Sequence, residues 1–405
     1  MVDFVKSALS PYFERVRGDI IPGAHRLQKL LSKFIDYGIL NFPCILVTGS
    51  NGKGTTCAYL ERILREHNLK TGLYTSPHLI HPNERIRING APVTEHILRE
   101  NLNEIQEQVS LHLPDATFFE ITTAIAFLIF LKEKIDFLIC EVGLGGHFDS
   151  TNALSPLLSI ITSVSLEHTD YLGNSLKKIA SDKSHISRRN RPFIVANINE
   201  EAMEGVQETT EKIGSYIIPV EKFNDESINL QTALTAIKYL STVTELKFNL
   251  NKINFAVQHM FWPGRFDVRT IGTRTVIFDA AHNPEGFDFF LHTYSNSPFS
   301  KTKCVILFAS LNDKDWKTVL KKLPLIAEHI IFAQVSSERS ESTEHFVQEI
   351  KNKQLQFPQF DAYKNVNDAI ENSLRTLEHL PLIVTGSIAF IGSVMEHLHL
   401  EVFPN

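Results

Sequence analysis

Eight consecutive residues, Gly49-Ser50-Asn51-Gly52-Lys53-Gly54-Thr55-Thr56, combine three glycines, a lysine and paired hydroxyls. Glycines let backbone N–H groups approach phosphate oxygens, a helix starting there adds the positive end of its dipole, and Lys53 brings a mobile charge. Ser50, Asn51, Gly52, Lys53, Gly54 and Thr55 are therefore the expected contacts of a nucleotide triphosphate, with ATP the first ligand to consider. The spelling departs from the common GxxxxGK[ST] loop: Val47 stands at the first glycine position and Gly54 separates Lys53 from Thr55. A second constellation is Ser76, just after Thr71–Tyr74, Glu141, before Gly143-Leu144-Gly145-Gly146, and His168, in Leu166-Glu167-His168-Thr169-Asp170. One hydroxyl, one carboxylate and one imidazole, with phosphate oxygens completing the shell, suit Mg²⁺. A third is Asp279-Ala280-Ala281-His282-Asn283-Pro284-Glu285. Helix capping accounts for Asn283, Pro284 and Glu285. It leaves Asp279 and His282, at the end of a strand and on the side of a sheet where ligands bind.

The elements that must hold these groups read as alternating strands and helices. Strands are predicted at Cys44–Thr48, Thr71–Tyr74, Asp136–Val142, Leu157–Ser163, Val276–Asp279, Cys304–Phe308 and Leu382–Thr385. Helices are predicted at Thr55–His67, Thr94–Val109, Thr122–Lys132, Leu176–Ser187 and Leu230–Leu240. This pattern is α/β. Two regions each open with an apolar strand running into a polar turn and a helix, and Phe261-Trp262-Pro263-Gly264-Arg265 carries a Pro-Gly breaker between them. The expected organisation is a phosphate-loop, parallel-sheet ATP-binding domain at 1–262 and a smaller Rossmann-like α/β domain at 263–405. No repeat of solenoid period is visible.

Composition narrows the class. The 405 residues are 43% hydrophobic and 21% charged, without low-complexity tracts, so disorder, collagen and coiled coil are excluded. Forty basic against 46 acidic residues leave a net charge of −6, which argues against a nucleic-acid partner. Cys44, Cys57, Cys140 and Cys304 lack CxxC spacing, so neither a zinc site nor a disulfide framework is indicated. Asp3 and Lys6 interrupt any export signal, and the apolar run Ile121 to Leu131 stops at Lys132, short of a membrane span. A cytoplasmic protein with no membrane partner is expected.

The loop GSNGKGTT resembles the GTNGKGS loop of the folylpolyglutamate synthase and dihydrofolate synthase family, within the Mur-type ATP-dependent amide ligases. The segments YTSPHLIHPNERIRING, TFFEITTAIAF, EVGLGGHFDSTN, SVSLEHTDYLG, PGRFDV, FDAAHNP and VTGSIAFIG resemble the same family in the same order, from residue 49 to 392. The resemblance implies that Ser76, Glu141 and His168 hold Mg²⁺. It further implies that Lys183, in Asp182-Lys183-Ser184-His185-Ile186, is carbamylated and ligates a second Mg²⁺. Arg265 and Asp279 would close on ATP from the second domain, with His282 beside them, and Asn229 resembles a nucleotide-contacting residue, although an ordinary N-cap explains it equally. Phe118, Phe119 and Glu120, with Phe148, Asp149 and Ser150, correspond to segments that contact the pterin-bearing substrate. The chain departs from the family pattern in having Asp182 for Glu, Ser184-His185 for Ala-Gly, His147 for Arg, and only one helix and one strand across 197–227.

The implied chemistry is transfer of the ATP γ-phosphoryl group to a carboxylate, followed by attack of an amine on the acyl phosphate, with Lys53, His168 and Lys183 in catalytic roles. The resemblance implies L-glutamate as the amine and dihydropteroate or a reduced folate as the carboxylate, with ATP and one or two Mg²⁺, in a monomer. Two alternatives stand beside it. A cell-wall Mur ligase would need an N-terminal UDP-sugar domain, whereas 48 residues precede Gly49. A non-catalytic nucleotide-binding relative would account for His147 and the altered Lys183 neighbourhood.

Overall fold

The computed structural model describes residues 9, 23–34, 42–220, 227–335 and 337–404. The chain divides into two compact units, one ending at Met260 and the other beginning at Phe261.

In the first unit, eight strands form one sheet: β1 Cys44–Thr48, β2 Thr71–Tyr74, β3 Ile86–Ile88, β4 Ala91–Pro92, β5 Phe137–Glu141, β6 Leu158–Ile161, β7 Pro192–Val195 and β8 Tyr216–Pro219. Their order is β4-β3-β2-β5-β1-β6-β7-β8. From β2 to β8 the strands run parallel; β3 and β4 are an antiparallel edge. Every residue of β1, β5, β6 and β7 is buried. Helices covering both faces of a parallel sheet leave its strands no wet side, which is why they read as continuous apolar runs. Leu46, Leu138 and Ile161 pack with Phe127 and Phe130 of the helix Phe118–Lys132, each fully enclosed, and burial of one such side chain contributes about 2 kcal/mol.

That helix begins four residues before its predicted start at Thr122. Thr117 and Glu120 form a reciprocal capping box: Thr117 Oγ1 accepts from the Glu120 N–H at 3.2 Å, and Glu120 Oε2 accepts from the Thr117 N–H at 2.9 Å. Phe118 and Phe119 therefore lie in the first helical turn. The helix after the phosphate loop likewise starts early, at Lys53, because Gly52 (φ 86°) supplies the left-handed cap. Between β7 and the helix Ile228–Val243 come one helix, Glu200–Ile213, and β8; residues 221–226 of the segment expected to be trimmed lie outside the described residues.

The second unit has six strands: β9 Asp267–Ile271, β10 Arg274–Asp279, β11 Cys304–Phe308, β12 Ala327–Ala333, β13 Gln359–Tyr363 and β14 Leu382–Thr385, in the order β13-β12-β11-β14-β10-β9. All neighbours are parallel except β9 with β10. Its core is aromatic: Phe346 lies 5.1 Å from Trp316 and from Phe332, and 5.6 Å from Phe308, centroid to centroid.

Candidate active site

Strand order brings the chemistry together. Because β2, β5, β1 and β6 are consecutive and parallel, the loops leaving their carboxyl ends stand side by side, carrying Ser76, Glu141, the phosphate loop and Glu167-His168. Tyr74 pairs with Cys140 and Val47 with Glu141, so Ser76 and the phosphate loop flank the carboxylate. The Ser76 backbone N–H donates to Glu141 Oε2 at 3.0 Å, and Glu141 is buried.

The phosphate loop is bonded to the turn after β6. The Ser50 N–H donates to the Ser163 carbonyl (3.0 Å), the Asn51 N–H to Ser163 Oγ (2.7 Å), and Thr162 Oγ1 to the Asn51 carbonyl (2.6 Å). The Ser165 N–H reaches Ser50 Oγ at 3.0 Å. Gly49 (φ 144°) has no room for a side chain, since a Cβ there would come within 2.1 Å of Thr162 Oγ1. Lys53 Nζ curls back to the Gly49 carbonyl at 2.7 Å and the Ser50 carbonyl at 3.2 Å, so its charge stays over the loop. Gly54 and Thr55 lie in the first helical turn, half-buried. A Cβ at Gly52 would fall 2.2 Å from Asn229 Oδ1, so Asn229 packs directly on the loop. Asn229 is buried and is not the N-cap of its helix; Ser227 is, accepting from the Leu230 N–H.

Lys183 is enclosed at the end of the helix Leu176–Ser184 and donates to Glu167 Oε1 at 3.0 Å. Burial pulls its amine pKa down against the opposing Glu167 charge. Burial opposes ionisation of Glu167 as well, yet Lys183, Lys53 and a hydrogen bond from Ser50 hold that carboxyl at about 2. His168 follows in a left-handed conformation (φ 48°) on the exposed loop. Among the described residues no cluster of three or more His, Cys, Asp or Glu side chains could hold a metal by itself. Glu141, Ser76 and His168 offer a buried carboxylate, a hydroxyl on a neighbouring loop and an imidazole on a third. That sparse, oxygen-rich set fits a divalent cation whose remaining ligands are triphosphate oxygens and water.

The residues expected near the acceptor divide into two kinds. Phe118 is buried beneath the Arg85 guanidinium, 5.0 Å from ring centroid to Cζ. Phe119 occupies the space a Cβ at Gly143 would need, 2.5 Å away. Glu120 is buried, and its carboxylate serves the capping box and Arg26 Nε, at 2.7 Å. Asp149 is buried too, accepting from the Leu144 and Thr151 N–H groups at 2.9 Å, and burial raises its pKa. Ser150 is buried, whereas Phe148 is 44% exposed and free to meet a ligand.

In the second unit Asp279 ends β10 and is buried. Its oxygens accept from the Phe266 N–H (2.8 Å) and the Ala281 N–H (3.0 Å), and burial raises its pKa while the nearby Arg265 charge opposes the rise. The Nδ1–H of His282 donates to the Ala280 carbonyl at 2.9 Å. Asn283 caps the helix Pro284–Ser295, accepting from the Gly286 N–H at 2.7 Å, as its spacing predicts.

Residues 47–269 match the Mur ligase middle domain, and 264–387 the Mur ligase glutamate ligase domain. The Bacillus subtilis dihydrofolate synthase/folylpolyglutamate synthase is 30% identical, across 95% of this chain and 96% of its own. The chain belongs to this Mur-type ligase family. Among solved structures, Escherichia coli FolC in complex with DHPP and ADP superposes with a TM-score of 0.85 at 26% identity, covering 98% of this chain and 97% of that one. The Yersinia pestis bifunctional folylpolyglutamate synthase/dihydrofolate synthase complexed with AMPPNP and a Mn ion gives 0.85 at 26%, covering 97% and 98%.

Within this Mur-type ligase, sequence reasoning missed groups that hold the site from beneath. Glu167 joins Ser50, Lys53 and Lys183 electrostatically; its only signal was its place beside His168. Glu84 accepts from the Leu79 N–H at 2.7 Å and the Ile80 N–H at 2.9 Å, bracing the loop that starts at Ser76. Arg85, at the end of the turn Pro82–Arg85, and Arg87, in the edge strand β3, are both buried, and burial lowers the Arg87 pKa to about 10.

Proposed function

We propose that this ligase forms an amide between L-glutamate and the carboxylate of dihydropteroate, of a reduced folate, or of both, at the expense of ATP. The observation that carries the reading is the single sheet edge holding the phosphate loop, Glu141 and Ser76 in contact or in register. A carboxylate is a poor electrophile. An acceptor oxygen therefore attacks the γ-phosphorus, its bond to the β–γ bridging oxygen breaks, and ADP leaves an acyl phosphate. The glutamate amine then attacks the acyl carbon, releases phosphate and loses a proton.

Ser50, Asn51, Gly52, Gly54 and Thr55 present the loop to the triphosphate, and Lys53 neutralises charge as it redistributes. Asn229 orders the loop from behind. Glu141, Ser76 and His168 would hold a divalent cation, which when bound polarises phosphoryl oxygens. Lys183 joins that set only as a carbamate, an anion; as an ammonium it pairs with Glu167. Its depressed pKa favours the neutral amine that carbamylation requires. Arg265, Asp279 and His282 are assigned to the nucleotide. The segments 118–120 and 148–150 are assigned to the pterin-bearing acceptor, Phe148 by contact, and Glu120 and Asp149 by holding their loops in shape.

We further place the chain in the cytoplasm as a monomer acting on small molecules. The four cysteines are free and buried, and no helix among the described residues is long and apolar enough to cross a membrane. The deciding experiment incubates the protein with Mg-ATP and L-glutamate, offers dihydropteroate and tetrahydrofolate separately, and weighs the products. Gain of one glutamyl mass on either acceptor is expected. ATP binding without phosphate release in the presence of both co-substrates would instead support a non-catalytic relative.

A further inference from the structure

Arg265, assigned above to the nucleotide, lies between two residues with left-handed backbone. Its N–H donates to the Trp262 carbonyl at 3.2 Å, closing a turn with Pro263 and Gly264 (φ 66°) at its centre. On its other side Phe266 is left-handed too (φ 45°), a conformation that glycine adopts freely and a phenylalanine holds only under constraint. The direction in which Arg265 leaves the backbone therefore depends on what fixes Gly264 and Phe266.

Three hydrogen bonds within the second unit fix them. The Ala280 N–H donates to the Gly264 carbonyl at 2.9 Å, and the Phe266 N–H to Asp279 Oδ2 at 2.8 Å, both from the end of β10. The third comes from Asp267, the first residue of β9, whose Oδ2 accepts from the Gly264 N–H at 3.2 Å. The Asp267 side chain is wholly enclosed, and a carboxylate taken out of water needs a charged, hydrogen-bonded partner. Arg269 supplies it in two-pronged form, Nε to Oδ1 at 2.9 Å and Nη2 to Oδ2 at 2.8 Å. The same guanidinium donates through Nη1 to the Glu401 carbonyl and through Nη2 to the Val402 carbonyl at 3.1 Å, and it stands 5.8 Å from the Phe261 ring centroid and 5.9 Å from that of Phe278. Pairing of β9 with β10 runs through the backbone, from Asp267 opposite Phe278 to Ile271 opposite Arg274, and does not call for this ion pair. What the pair adds is a brace from residues 401–402, through Arg269 and Asp267, to the turn that carries Arg265.

We propose that Asp267 and Arg269 are positioning residues for the ligase reaction, holding the Gly264–Phe266 turn so that Arg265 is presented to the nucleotide. The proposal rests on the assignment of Arg265 made above. Its test is a double-variant cycle on the full chain: Asp267→Asn, Arg265→Ala and the two combined. Phosphate release at saturating L-glutamate, with whichever of dihydropteroate and tetrahydrofolate gains a glutamyl mass, gives kcat and KM for Mg-ATP. Arg265→Ala should raise that KM about thirtyfold, the loss of one charge-assisted contact. Asp267→Asn should raise it about tenfold with kcat within about twofold, and should add nothing once Arg265 is alanine. If circular dichroism shows Asp267→Asn unfolded, Arg269→Lys, which keeps the charge and loses the fork, takes its place in the cycle with a rise of about threefold. A rise of equal size in both backgrounds, no rise, or a change carried by kcat overturns the positioning role and leaves the assignment of Arg265 standing. A KM unmoved by Arg265→Ala overturns that assignment and the proposal together, and absence of a glutamyl product with either acceptor in the wild type overturns the ligase reading and the proposal with it.

Discussion

The carboxyl edges of the two sheets use their polar residues differently. In the first unit the edge carries charge across loops that are distant in sequence: Lys53 over its loop, Glu141 against Ser76, Glu167 against Lys183. In the second unit the corresponding strand end spends its polar groups locally. Both Asp279 oxygens accept backbone N–H groups, the His282 ring bonds a carbonyl two residues back, and Asn283 caps its own helix. One edge is arranged for reacting charge, the other for holding a turn in shape. Substitutions should therefore cost activity in the first unit and stability or nucleotide affinity in the second.

The sharpest break comes from Glu141→Ala, which removes the carboxylate at the centre of the first edge. It should lower kcat about a thousandfold in a steady-state phosphate-release assay, while circular dichroism retains the wild-type fold. Lys53→Met should lower kcat about a hundredfold in the same assay, because the loop geometry remains and only the mobile charge is lost. Glu167 separates the two edges by pH. Its folded-state pKa of about 2 lies below the ordinary 4.5, so the stability it contributes is complete above 4.5 and is lost as pH falls through about 2. Chemical denaturation across that range should show a decline that Glu167→Gln flattens. The mildest effect belongs to the second unit: Asn283→Ala should cost about 1 kcal/mol of unfolding free energy with kcat nearly unchanged. A large fall in kcat from that cap would erase the contrast.

Much of this arrangement was legible because parallel strands buried on both faces leave unbroken apolar runs. Cys44–Thr48, Thr71–Tyr74, Cys304–Phe308 and Leu382–Thr385 appear at their predicted bounds. Helix starts were harder. The predicted Thr122 and Thr55 became Phe118 and Lys53, because a capping box and a left-handed glycine extend each helix backward beyond its apolar periodicity. Asn229 has the residue type of an N-cap but yields that role to Ser227, because the helix starts two residues earlier than predicted, and Asn229 packs against Gly52 from its first turn. The pairing of Lys183 with Glu167 and of His147 with His185 had no local signal at all, because each depends on how a loop after one strand meets the end of a helix after another.

The hydrogen bonds from Ser163 and Thr162 to the phosphate loop have a consequence for motion. A loop tied to its neighbouring strand through Ser50 and Asn51, with a glycine wedged where no side chain fits, already occupies one conformation before a nucleotide arrives. Little backbone entropy remains to be surrendered on binding. More of the interaction with the triphosphate is therefore left for the transferring phosphoryl group.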